Sequence, residues 1–96
     1  MDEDDIDRRS AMTGEELLEH AAAVVHERRQ SYGEPAVLFE QVAVRWSQLL
    51  RTEVTPAQVV LCLLDLKLAR LAHDPAHLDS LVDVAGYAAC LREVSR

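Results

Sequence analysis

Apolar residues recur along this chain at helical spacing, and turn-forming residues break the recurrence at three places. Thr13-x-x-Glu16 has the pattern of a capping box, in which a side-chain oxygen accepts from a free backbone N–H of the first turn. Leu17, Leu18, Ala21, Val24 and Val25 follow with a period near 3.6. Gly33 supplies a stop, and Pro35 suits the first turn of a second helix. Phe39, Val42, Ala43, Trp46 and Leu50 then line one face of that helix, and residues 51–54 form a connection.

Thr55, Pro56 and Gln58 give the clearest start, a second capping box with proline in the first turn. From Val59 to Ala72 the third helix is apolar almost all round, which predicts a central position. Asp74-Pro75 ends it, and a fourth helix is expected from roughly His77 to Val94. No segment alternates as a strand does. The pattern therefore predicts an all-α, single-domain bundle of four helices, more than about 65% helical, with helices three and four forming a central antiparallel hairpin. Three short neighbours cannot cover a helix that is apolar on every side, so a homodimer or higher homo-oligomer is expected.

Composition agrees with this pattern. Almost half of the 96 residues are apolar, yet Phe, Trp and Tyr together number four, the balance of a Leu/Ala/Val bundle. The net charge of −7 is concentrated at the start. The first ten residues hold five acids and two arginines, leaving 12 acids against 8 bases, or −4, in the remainder. Residues 1–12 read as an acidic flexible tail and 13–96 as the helical domain. So acidic a chain argues against general binding to the phosphate backbone of nucleic acid. The longest apolar run, Val59 to Leu64, is far below the ~20 residues that span a bilayer. The acidic N-terminus lacks the apolar core of a signal peptide. Cys62 and Cys90 both fall in apolar helical patterns without metal-ligand spacing, and are expected to be buried free thiols in a reducing cytoplasm.

The charges inside the apolar helices carry the candidate chemistry. Lys67 and Arg70 share one stripe of helix three, while Asp65 points almost opposite. Asp79, Asp83 and Tyr87 share a stripe of helix four. A short connection should bring the two stripes together, either as ion pairs that fix the hairpin's register or as a charged pocket in which the cations hold phosphate and Asp79 and Asp83 hold Mg²⁺ or a sugar hydroxyl. Arg28 projects onto the centre of the apolar face of helix one, close to Tyr32. It either caps the helix end or aims its guanidinium into an interhelical pocket, with Tyr32 beside it to stack. Glu16, Glu19, His20 and Glu27 read as the wet face of helix one. Gly86, mid-helix, costs about 1 kcal/mol relative to alanine and suggests close approach of a helix or ligand.

The ordered set Tyr32-Gly33-Glu34-Pro35, Phe39, Trp46, Lys67-x-x-Arg70 and Asp79-Ser80-x-x-Asp83-x-Ala85-Gly86-Tyr87-Ala88 resembles a small helical family of unknown function common in phages and prophages, over about residues 15–91. More distantly it is similar to phage nucleotide-modification-associated domains and to MazG-like all-α nucleoside triphosphate pyrophosphatases. That similarity implies a helical, usually dimeric protein and Mg²⁺ held by acidic pairs. Here the pairs are Glu16-x-x-Glu19 and, at a spacing of four, Asp79 and Asp83. It also implies a nucleotide or nucleotide-derived ligand, with Arg28, Lys67 and Arg70 toward phosphate and Tyr32 and Tyr87 toward base or ribose. The alternative is a non-enzymatic helical adaptor or inhibitor acting through a protein interface.

Overall fold

The computed structural model describes residues 11–96, so most of the expected acidic tail lies outside the described residues. Four helices follow in order: α1 (Gly14–Tyr32), α2 (Pro35–Leu50), α3 (Pro56–His73) and α4 (Leu78–Val94). They cover 81% of the described residues, with no strand among them.

The helix boundaries follow from local chemistry. Thr13 caps α1 by accepting from the Glu16 N–H at 3.1 Å. At the other end Gly33, with φ of 86°, donates its N–H to the Arg29 carbonyl. Only glycine adopts that backbone without strain. Thr55 and Gln58 close the expected capping box, each side chain bonded to the other's backbone N–H. The connection after α2 is held by the Ser47 hydroxyl, which accepts from the Val54 N–H at 2.9 Å and lies 2.7 Å from the Ala43 carbonyl. The cap of α4 was not expected. His77 Nδ1 accepts from the Ser80 N–H and lies 2.7 Å from the Ser80 hydroxyl, which is itself buried.

A four-residue connection, 74–77, joins α3 and α4 into the hairpin that forms the most extensive helix contact. α4 packs on all three other helices, although α3 is the more uniformly apolar. The core is small. Phe39 and Ala43 from α2 meet Val59 and Val60 from α3, with Trp46, Leu63, Tyr87 and Leu91 packed around them.

Two expectations change. Leu50 does not join Phe39 and Ala43 in the core but is exposed, at the last residue of α2 before the left-handed Arg51. Cys62 is exposed on the outer side of α3, and Cys90 is half-buried. Periodicity cannot separate the two sides of a helix that is apolar on both. Burial pushes the Cys90 thiol above its ordinary pKa, opposed by Arg28 and Arg29 and reinforced by Glu93. That favours the protonated thiol. The outward side of α3 leaves Leu61, Leu66 and Leu68 about half exposed. None of the described helices is long and apolar enough to cross a membrane.

Candidate functional site

Asp83 is the centre of the charged constellation. It sits one turn into α4, and its side chain is only 16% exposed. One carboxylate oxygen pairs with Lys67 Nζ of α3 at 3.0 Å. The other accepts from the Arg28 guanidinium of α1 at 3.3 Å. The expected ion pair across the hairpin therefore exists as Lys67–Asp83, and a third helix is recruited to it. α1 and α3 make no extensive contact with each other, so this carboxylate adds a polar link between them to their separate packing on α4. Of the two roles open to Arg28, the structure selects the guanidinium turned into the interhelical space. The helix end is capped instead by the Gly33 backbone.

The Arg28–Asp83–Lys67 bridge is a wall shared by two recesses. The first, of about 410 Å³, is polar: His20, Arg70, His77, Asp79 and Ser80 line it with the bridge. The second, of about 400 Å³, is apolar and aromatic: Val25, Leu38, Phe39, Tyr32 and Tyr87 line it on the other side. All seven candidate residues thus fall on one recess or the other. They do not form one pocket. Arg70 and Asp79 open to the polar side, Tyr32 and Tyr87 to the aromatic side, and Arg28, Lys67 and Asp83 to both. Arg70 has no carboxylate partner within 4 Å among the described residues, and it lines both the polar recess and a neighbouring one formed with Leu66, His73 and Asp74.

As placed, Asp83 is a partner of cations rather than a preformed Mg²⁺ ligand. Both its oxygens are engaged, and the described residues hold no group of three or more His, Cys, Asp or Glu positioned for a metal. A Mg²⁺ ion reaching Asp83 would have to displace Lys67 or Arg28 from it.

Gly86 lines the aromatic recess, but close approach does not require it. A Cβ added there would meet only a Val25 methyl at 3.8 Å, an ordinary contact. Gly86→Ala is therefore expected to stabilise the domain by about 1 kcal/mol through helix propensity. A lower midpoint in urea than that of the parent protein would show a constraint at this position beyond packing.

Sequence reading missed three contributors. Arg29 donates to Glu93 at 3.2 Å, joining the end of α1 to the end of α4. Its Nε lies 3.5 Å from Glu34, near enough for attraction but not aligned as a hydrogen bond. His20 and His77 line the polar recess. The stripe containing His20 reads as a wet face, because nothing in sequence shows that α4 begins beside it.

Fold and site together define a small all-helical domain in which one carboxylate, shared by two cations, holds three helices around a divided recess. Residues 16–95 match the family described as "Domain of unknown function (DUF6378)", and the chain belongs to that family. It is 35% identical over 81 residues to the Gene 55 protein of Mycobacterium phage D29, an alignment covering 83% of this chain and 54% of that protein. It is 36% identical over 80 residues to the Gene 55 protein of Mycobacterium phage L5, covering 81% and 51% respectively. The chain spans about half the length of these curated relatives. No solved structure matches. The expected phage-associated family of unknown function is thereby found. The more distant likeness to MazG-like enzymes has no counterpart in these two relatives.

Proposed function

We propose that the domain binds a nucleotide or nucleotide-derived small molecule across the two recesses. Arg28, Lys67 and Arg70 face its phosphate, and Tyr32 and Tyr87 face its base or ribose. The observation that supports this reading is the shared wall: a charged recess and an aromatic recess of similar size meet at the same three side chains. A ligand with an anionic end and a flat apolar end matches that division. Cations on a partly desolvated helical wall attract an anion more strongly than they would on an open surface.

The test is a thermal-shift series with nucleoside mono-, di- and triphosphates at millimolar concentration, with and without Mg²⁺. At a ligand concentration one hundred times Kd, stabilisation is about 2.7 kcal/mol. Arg70→Ala and Tyr87→Ala are expected to remove the shift while leaving the circular dichroism spectrum helical. Binding should not require Mg²⁺, because Asp83 is already held by cations and a metal would arrive on the ligand's own phosphates. Mg²⁺-dependent release of pyrophosphate, lost in Asp83→Asn, would extend the reading to a MazG-like hydrolase. Absence of any shift across the series would overturn it in favour of the adaptor or inhibitor reading.

Self-association belongs to the same proposal. Ala57, Leu61, Leu64, Leu68 and Leu71 of α3 follow the 4-3-4-3 spacing of a coiled-coil seam, and Leu61 and Leu68 are each 48% exposed. A second copy offers the same seam about a two-fold axis. Leu61→Asp combined with Leu68→Asp should yield a folded monomer by sedimentation, because both side chains are substantially exposed. An unchanged oligomer, or a parent protein that is itself monomeric at high concentration, would refute this seam.

A further inference from the structure

If the domain binds a nucleotide as proposed above, the pairing of Asp83 narrows the class of ligand. The two ion pairs made by Asp83 are unequal. Lys67 is 17% exposed and 3.0 Å away, whereas Arg28 is 53% exposed and 3.3 Å away. Lys67–Asp83 is thus the inner, more protected pair, and Arg28 is the outer partner that an arriving anion meets first. Arg70 faces the same polar recess with no carboxylate of its own within 4 Å among the described residues.

We infer that Asp83 is a resident counter-anion for Arg28 that a ligand's terminal phosphate displaces, so that the site selects phosphomonoesters over phosphodiesters. Arg28 and Lys67 share one carboxylate, which leaves a positive charge uncompensated at the bridge, and Arg70 adds a second. A phosphodiester carries one negative charge and two free oxygens. To engage Arg28 it must exchange one for one with a carboxylate already tethered beside the guanidinium. A terminal phosphomonoester carries close to two charges and three acceptor oxygens. It can take a bidentate bond from Arg28 and still offer an oxygen to Arg70. Repulsion from Asp79, which lines the same recess, is stronger on the dianion and opposes the preference, so the bidentate bond from Arg28 and the added bond to Arg70 must outweigh it. Lys67 stays with Asp83 throughout, so the wall keeps its shape while Arg28 changes partner.

Isothermal titration of 5′-nucleoside monophosphates and their 3′,5′-cyclic counterparts tests this on the parent protein, Asp83→Asn and Arg28→Met. The parent should bind the monophosphate at least about tenfold more tightly than the cyclic ester, the equivalent of one charge-assisted bond. Asp83→Asn removes the competitor and should tighten monophosphate binding by about tenfold. Arg28→Met, at a half-exposed position that leaves Lys67–Asp83 intact, should reduce the preference to less than about threefold. This variant keeps the test open if Asp83→Asn folds poorly. Monophosphate binding that Asp83→Asn leaves unchanged or weakens overturns the displacement while the site itself stands. So does a tenfold preference that survives Arg28→Met. No binding of any nucleotide by the parent or Asp83→Asn overturns the site and the displacement together.

Discussion

Asp83→Ala is expected to destabilise the domain by about 2–4 kcal/mol, because it strands the ammonium of Lys67 in a setting where little water reaches it. The Lys67 side chain is 17% exposed, and its ammonium leans on the carboxylate 3.0 Å away. Arg28 adds little to the loss, since its half-exposed guanidinium can turn back to water. Combining Asp83→Ala with Lys67→Met should recover much of the deficit, since an apolar side chain of similar length carries no charge to solvate. Urea denaturation of the two single variants and the double variant measures the coupling directly. Additive losses would show that the two side chains do not depend on each other.

Phe39→Ala is expected to cost about 3–5 kcal/mol, the range for truncating a buried phenylalanine. The ring is 8% exposed and lies in the cluster with Ala43, Val59 and Val60, where α2 meets α3. Domains of this size are stable by only about 5–15 kcal/mol, so the variant should melt more than about 10 °C lower. Phe39→Leu keeps most of the volume and should cost far less. Equal melting temperatures for the alanine variant and the parent would place the cohesive core elsewhere. Phe39 also lines the aromatic recess, so the core and the candidate site share a wall. Nucleotide protection measured on Phe39→Leu should therefore weaken even where the fold is kept.

The helices were legible in sequence because their ends are local events. Thr13, Gly33, Thr55 and Gln58 act within one turn of themselves, and each is bonded as its position demands. The Lys67–Asp83 pair was legible for a related reason. Two charged stripes on helices joined by four residues have few places to go, and a charge within an apolar face needs a partner. The part played by Arg28 was open between a helix cap and a pocket. Its projection onto an apolar face gives direction but not the distance to a carboxylate 55 residues away.

Sequence by itself determined the all-α class, the positions of four helices and the charged and aromatic stripes that gather between α1, α3 and α4. These depend on periodicity, capping and spacing, which are properties of neighbouring residues. Only the tertiary structure decided which carboxylate takes the cations, that the same carboxylate divides the space into a charged and an aromatic recess, and that His20, His77 and Arg29 join the site. It also decided that α4 rather than α3 packs extensively on every other helix, leaving Leu61, Leu66 and Leu68 half exposed. The physical reason is that hydrophobicity has no direction around a helix that is apolar on all sides. Which face is covered depends on where the other helices fit, and that is settled by packing across the whole chain.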